Sequence, residues 1–253
     1  LVELGAEIVP LGVAPDGLNI NLNCGATAPA AMAKAVVESG AALGICLDGD
    51  ADRLILADEQ GQIRDGDQIL AALALDAAEQ GKLDGPIIGT MMSNLGLETL
   101  LAEHNIGFER AAVGDRYIHE RMVKTGSTLG GEPSGHILLP QQTSTGDGLI
   151  AALQVLSVMC RTGNSASALL SCFTPVPQKL VNLKDMDKAI LNDEQVTEQV
   201  AAVAAELGEE GRVLLRPSGT EPLIRVMVEA VDEAHLDAAM DKLVALLKAA
   251  SQE

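Results

Sequence analysis

The feature that most constrains the fold is a regular alternation of short apolar runs with longer amphipathic runs. Apolar runs at 43–47, 53–57 and 87–90 predict buried strands, and the amphipathic stretches 68–80 and 95–104 predict helices. Strands that alternate with helices in this way are typical of βαβ units. We therefore expect an α/β fold in which helices cover a largely parallel sheet.

Both ends of the chain differ from this central pattern. The apolar run at 6–11 predicts one more strand near the start. A break falls at 172–177, where Pro175 and Pro177 interrupt any helical pattern and indicate a linker. Beyond the linker the pattern predicts, in order, a strand at 179–183, a helix at 193–207, strands at 212–216 and 223–231, and a helix at 233–248. That order is typical of a small α+β domain.

The charge balance excludes several classes of partner. Seventeen basic residues against thirty-six acidic ones give a net charge of −19. A body this negative repels phosphate backbones and anionic lipids, so we expect no nucleic-acid partner and no membrane partner. Any anionic ligand must be bound by a local cluster of positive charge. The four cysteines include no C-x-x-C pair, and we expect reduced thiols in a cytoplasmic protein, either monomer or homodimer.

Three carboxylates follow the predicted strand at 43–47 at alternate positions. Asp48, Asp50 and Asp52 repel one another unless a cation neutralises them, and hard oxygen ligands suit Mg²⁺. An EF-hand is excluded because Arg53 stands at the sixth loop position, where that motif needs glycine. The sequence therefore predicts a magnesium site here, with a solvated acidic turn as the alternative.

A second polar loop spans residues 130–136. Glu132, Ser134 and His136 alternate, so in an extended stretch all three side chains would face one side. A carboxylate, a hydroxyl and an imidazole grouped in this way could form hydrogen bonds with sugar hydroxyls. The alternative is an ordinary polar hairpin turn.

A third loop, at 216–222, concentrates positive charge in an otherwise acidic chain. Arginine binds phosphate oxygens through two parallel hydrogen bonds, and backbone N–H groups in a tight turn form an anion-binding nest. The predicted phosphate-binding residues are Arg216, Ser218, Gly219, Thr220 and Arg225. The alternative is a hairpin whose arginines pair with Glu221 and Glu229. No P-loop motif occurs in the sequence.

Taken in order, these loops carry the motifs D-G-D-x-D-R, G-E-x-S-G-H and R-x-S-G-T-E-P, which resemble the α-D-phosphohexomutase superfamily. The stretches 89–98, 113–117 and 221–229 resemble its bacterial amino-sugar branch. The resemblance implies domains around a central cleft, three of them related α/β domains and the fourth a smaller α+β domain. Here it implies the tail of an α/β domain (1–62), a complete α/β domain with mixed sheets (63–174) and a small α+β domain (175–253).

The resemblance also implies an activity and a role for each site residue. The reaction would interconvert glucosamine 6-phosphate and glucosamine 1-phosphate through a phosphoserine and a 1,6-bisphosphate. The three aspartates would bind Mg²⁺, and Arg53 would lie beside the transferred phosphoryl group. The second loop would bind sugar hydroxyls, the third the non-reacting phosphate, and Asp115 with Arg116 would line the cleft. No T-A-S-H-N-P type serine loop occurs in the sequence, so we expect this chain alone to be inactive.

Two departures and three alternatives accompany this interpretation. Pro133 stands where the subfamily often has a polar residue, and Pro217 where lysine is common. Neither change removes a predicted ligand. The sugar loop does not distinguish an amine from a hydroxyl, so a phosphomannomutase or phosphoglucomutase stays open. A non-catalytic phosphosugar-binding module and a magnesium-dependent phosphatase are the remaining alternatives.

Overall fold

A computed structural model of the chain describes residues 1–218 and 222–251. The chain divides into two compact units. The first comprises residues 1–93 and 97–174, and the second comprises residues 94–96 and 175–253. Each unit has its own hydrophobic core.

Among the described residues, the first unit contains two sheets and six α-helices, one of which, α3, begins with two residues of the second unit. One sheet is antiparallel, in the order β1 (Leu43–Leu47), β2 (Leu54–Asp58), β3 (Ile63–Arg64). The other has the order β5-β4-β6-β7, formed by β4 (Ile87–Thr90), β5 (Phe108–Ala111), β6 (Gly130–Gly131) and β7 (Ile137–Leu138). The helices are α1 (Ala30–Ser39), α2 (Gly66–Glu79), α3 (Leu95–Glu103), α4 (Asp115–Thr125), α5 (Gly148–Thr162) and α6 (Ala166–Leu170).

The expected α/β class is confirmed, but the sheets are mixed rather than largely parallel. Among the described strands, the parallel pairs are β4 with β5 and β4 with β6. Strands β1 and β2 are joined by the short acidic loop and pair antiparallel, Leu43 opposite Asp58 and Leu47 opposite Leu54. A loop this short permits only a hairpin, because parallel neighbours need a crossover of about a dozen residues or more.

Helix α2 begins where its sequence provides a complete capping box. The Asp65 side chain accepts hydrogen bonds from the N–H groups of Asp67 and Gln68, and Gln68 bonds back to the Asp65 N–H. Its first residue, Gly66, is fully packed, and its N–H donates to the carbonyl of Pro133 at 3.1 Å. The capped end of α2 therefore supports the polar loop between β6 and β7.

The predicted strand at 6–11 is wrong. These residues form no strand, and Ile8, Val9 and Leu11 are 43%, 53% and 50% exposed. A strand is stable only when a neighbour satisfies its backbone hydrogen-bonding groups, and Pro10 lacks a donor altogether. The apolar composition of this segment alone therefore does not produce a strand.

The second unit is a three-stranded antiparallel sheet with two long helices. Its strands are β8 (Gln178–Lys184), β9 (Gly211–Pro217) and β10 (Leu223–Ala230), in the order β8-β10-β9. Its helices are α7 (Glu194–Leu207) and α8 (Glu233–Ala250). The core combines one face of β10 (Ile224, Val226, Val228) with an apolar stripe of α8. This arrangement confirms the α+β expectation for this part of the chain.

All four cysteines are free thiols, and they range from buried Cys46 to exposed Cys160. Within the described residues, none of the helices has both the length and the apolar character needed to cross a bilayer.

Candidate functional site

The hairpin loop between β1 and β2 gathers its three carboxylates. One carboxylate oxygen from each of Asp48, Asp50 and Asp52 lies within 4.8 Å of the other two. The Arg53 N–H donates to Asp48 Oδ1 at 3.1 Å, and Ala51 adopts a left-handed φ of 61°. The Ala51 carbonyl accepts from the N–H of Gly148, the first residue of α5, at 2.9 Å. Backbone contacts thus hold the loop in a curled form that makes its side chains converge.

The electrostatics of this loop favour a cation. Burial raises the pKa of Asp52, and the neighbouring Asp48 carboxylate raises it further. Burial also acts to raise the pKa of Asp48, but the Arg53 N–H and the contact with Asp52 outweigh it, so that pKa is lowered. Asp52 Oδ1 is buried without a hydrogen-bond partner among the described residues. A buried, unpaired oxygen within three converging carboxylates fits Mg²⁺.

The loop between β6 and β7 is a tight turn and not the extended stretch expected from its alternation. The Gly135 N–H donates to the Glu132 carbonyl at 2.9 Å, which closes the turn. Ser134 Oγ donates to Glu132 Oε1 at 2.6 Å, so these two side chains do lie together. The His136 side chain instead contacts the acidic loop. The extended conformation assumed for this loop is therefore wrong, and the sugar-binding role of its three residues stays a prediction.

Backbone contacts of Arg53 and Leu54, at the start of β2, join the two loops into one site. The Leu54 N–H donates to the Gly135 carbonyl at 2.9 Å, and Arg53 forms an isolated bridge with His136. His136 Nδ1 lies 3.1 Å from Asp52 Oδ2, and its side chain is only 5% exposed. The predicted metal loop and the predicted sugar loop are thus adjacent in the first unit.

Gly135 is the residue that permits this junction, and its replacement by alanine is expected to be strongly destabilising. Its φ is +93°, and a Cβ there would overlap the carbonyl oxygen of Leu54. We expect Gly135→Ala to lower the free energy of unfolding by about 3 kcal/mol, from backbone strain and overpacking together. Urea denaturation followed by circular dichroism measures this difference.

Gly126→Ala is the matched control for that substitution. Gly126 also has a positive φ, +71°, but a Cβ there would meet nothing within 4 Å. The free energy of unfolding of this control is therefore expected to fall only by the cost of backbone strain, about 1 kcal/mol. Equal losses for the two variants would show that the contact with Leu54 is unimportant.

In the second unit, Arg216 and Arg225 differ from all other arginines of the described chain. Seven of the nine arginines have a carboxylate oxygen within 4.0 Å: Arg53, Arg64, Arg110, Arg116, Arg121, Arg161 and Arg212. Arg216 and Arg225 have none among the described residues, and they stand directly opposite each other on β9 and β10. Arg225 Nε is buried and has no hydrogen-bond partner within the part of the chain that the structure describes. Like charges directly opposite on a sheet destabilise it, so this pair favours an anionic ligand.

The alternative pairing of these arginines with Glu229 is wrong. Glu229 is fully buried, and it is bound by Arg212 and by Gln178 Nε2, the latter at 2.9 Å. Of the other predicted phosphate ligands, Ser218 is buried, and its N–H donates to the Leu223 carbonyl at 2.9 Å. Gly219 and Thr220, like Glu221, lie outside the described residues.

Asp115 and Arg116, the predicted cleft residues, lie at the start of α4 and are exposed. Arg116 forms an ion pair with Glu120 one turn later at 2.9 Å. No hydrogen bond joins either residue to the two polar loops within the described part of the chain.

The structure adds two residues that the motifs do not include. A Cβ at Gly146 would overlap His136 Nε2, so this glycine leaves the space in which the imidazole ring lies. Asn182 on β8 stands opposite Arg225, on the side away from Arg216. The only sequence signal for Gly146 is its place in a polar, glycine-containing loop. Asn182 has no signal, because strand register is not encoded locally.

Comparison with protein-family models identifies two parts of this chain. Residues 65–176 match the α/β/α domain III of phosphoglucomutase/phosphomannomutase, and residues 180–246 match the C-terminal domain of the same family. The chain belongs to this family, the phosphohexomutases.

The curated relatives of this chain are phosphoglucosamine mutases. Phosphoglucosamine mutase of Ruegeria sp. is 52% identical over 254 residues, which is 100% of this chain and 57% of the relative. The same enzyme of Chromohalobacter salexigens is 54% identical, over 94% of this chain and 53% of the relative. The chain thus spans somewhat more than half the length of the curated relatives it matches.

Solved structures share the fold at lower identity. A phosphoglucomutase/phosphomannomutase family protein from Burkholderia thailandensis superposes with a TM-score of 0.73 at 22% identity, covering 89% of this chain and 50% of that one. Aspergillus fumigatus N-acetylphosphoglucosamine mutase, solved with GlcNAc-6P and magnesium, gives 0.70 at 22% identity, covering 91% of this chain and 54% of that one.

Proposed function

We propose that this chain carries the metal-binding, sugar-binding and phosphate-binding loops of a bacterial phosphoglucosamine mutase. The single observation that carries the proposal is the Arg216–Arg225 pair. Arginines on directly opposite positions of two strands, without a carboxylate partner in the described part of the chain, favour an anion, and phosphate matches guanidinium geometry. The relatives at about 50% identity supply the name of the enzyme and its amino-sugar substrate.

Under this proposal the domains follow the boundaries expected from the sequence. Residues 1–62 would be the end of the second domain, 63–174 the third and 175–253 the fourth. The catalytic phosphoserine would belong to a region of the relatives that this chain does not match. The enzyme would work in the bacterial cytoplasm, with a hexosamine phosphate and its 1,6-bisphosphate as ligands.

Each loop would have a separate task. Asp48, Asp50 and Asp52 would hold Mg²⁺, which would neutralise charge on the phosphoryl group being transferred. Arg53, whose side chain is 44% exposed, would add a second positive charge beside that group. His136 would fix the position of Asp52, since its Nδ1 lies against that carboxylate.

The sugar and phosphate loops would orient the substrate. Glu132 and Ser134 would form hydrogen bonds with sugar hydroxyls. Arg216 and Arg225 would hold the phosphate that does not react. The substrate must present either of its two ends to the metal. A phosphate pocket that works by charge and by paired hydrogen bonds suits this, because it recognises the phosphate itself and not the sugar carbon that bears it.

A reconstitution assay tests the proposed function. The chain would be joined to the N-terminal region of the Ruegeria relative that it does not match. We expect the joined protein to convert glucosamine 6-phosphate to glucosamine 1-phosphate when primed with a 1,6-bisphosphate, and the chain alone to show no turnover. Faster conversion of mannose or glucose 6-phosphate would reassign the sugar. Phosphosugar binding without any turnover would support a binding module instead.

A further inference from the structure

A segment that no motif identified runs along the phosphate loop of the second unit. Lys184, the last residue of β8, stands opposite Leu223 on β10. The Met186 N–H donates to the Pro222 carbonyl at 3.4 Å, and Lys188 Nζ donates to the carbonyl of Ser218. The segment 184–188 therefore contacts the loop at both of its described ends, Ser218 and Pro222.

Lys188 brings to this loop a positive charge that no carboxylate of residues 1–218 or 222–251 neutralises. Among the described residues it forms no ion pair, and its side chain is half-buried. The nearest acidic residue in sequence, Asp187, caps the turn that begins at Lys188, since its Oδ1 accepts from the Ala189 N–H at 2.8 Å. A lysine ammonium has three donors, and the Ser218 carbonyl occupies one of them. Two donors remain for another acceptor.

We propose that Lys188 is a further residue of the phosphate site. Its ammonium group is held by the Ser218 carbonyl, two residues along the chain from Arg216. There it adds a third positive charge that attracts the substrate phosphate. This proposal rests on the proposed function of the loop. It extends the site beyond the R-x-S-G-T-E-P motif to a residue thirty positions before Ser218. Lysine binds phosphate as a compact point charge, which complements the paired contacts of the arginines.

Titration calorimetry with glucosamine 6-phosphate and with inorganic phosphate tests the proposal on the full 253-residue chain. We expect Lys188→Gln to weaken binding of both ligands about tenfold, and Lys188→Arg to restore most of it. Lys248→Gln is the matched control. Lys248 lies in the last turn of α8 in the same unit, and it too forms no ion pair among the described residues. Its replacement by glutamine makes the same change in net charge.

Salt dependence and stability separate a direct role from a structural one. Added salt screens charge, so the wild-type affinity should fall more steeply with ionic strength than that of Lys188→Gln. Equal affinity of wild type and Lys188→Gln would overturn the proposal, and so would equal weakening by Lys248→Gln. Loss of affinity with a matching loss of unfolding temperature and no rescue by arginine would also overturn it. Failure of the wild type to bind either ligand would instead reject the proposed function.

Discussion

Replacing Arg225 with methionine is expected to weaken the binding of glucosamine 6-phosphate to the chain by about 100-fold, the effect typical of removing one partner of a desolvated charge pair. Methionine keeps most of the apolar volume of the arginine side chain, so the packing beside the buried Nε is preserved. Titration calorimetry measures the change. Arg121→Met is the control for binding, since Arg121 pairs with Glu109 in the first unit.

The same substitution should leave the stability of the unliganded chain unchanged or slightly higher. Arg225 stands opposite Arg216, and removing one of two adjacent like charges relieves repulsion. Arg212→Met, on the neighbouring strand β9, should behave in the opposite way. It leaves the fully buried carboxylate of Glu229 without its cation, which is expected to cost about 3 kcal/mol of unfolding free energy.

This pair of results distinguishes a ligand-binding arginine from a structural one. Urea denaturation of both variants, beside the binding measurement, provides the comparison. A stability loss for Arg225→Met as large as that for Arg212→Met would contradict a phosphate-binding role, and so would unchanged affinity for glucosamine 6-phosphate.

Magnesium is expected to stabilise the wild-type chain, by about 2.7 kcal/mol when its concentration is 100 times the dissociation constant. The reason is that the three carboxylates converge only in the folded chain. Asp50→Asn should abolish most of this stabilisation. Asp50 is the most suitable position to change, because Asp48 accepts the Arg53 N–H and Asp52 contacts His136, whereas Asp50 is exposed.

In the absence of metal, Asp50→Asn is expected to be as stable as the wild type or slightly more stable, because it removes one of three mutually repelling charges. Thermal unfolding with magnesium, and again after chelation with EDTA, measures both effects. Asp241→Asn, at an exposed position on α8, is the control for loss of a negative charge. An equal response to magnesium in Asp50→Asn and the wild type would show that the cation binds elsewhere.

Local patterns predicted most of the secondary structure of this chain. The apolar run at 43–47 is β1 and the run at 87–90 is β4, each with the expected bounds. The helix predicted over 233–248 is α8, Glu233–Ala250. These elements follow from side-chain periodicity, which is a property of consecutive residues. The segment 6–11 has the same apolar composition but no neighbouring strand, and it stays irregular.

By itself, the sequence determined the chemistry of the three loops, because the identity of the carboxylates, hydroxyls and guanidiniums and their spacing are local facts. The tertiary structure alone decided which of them meet. The hydrogen bond from the Leu54 N–H to the Gly135 carbonyl joins distant parts of the chain, and His136 Nδ1 lies against Asp52. The antiparallel register of β9 and β10 sets Arg216 against Arg225. Register and long-range contacts depend on how whole elements pack together, and no short stretch of sequence contains that information.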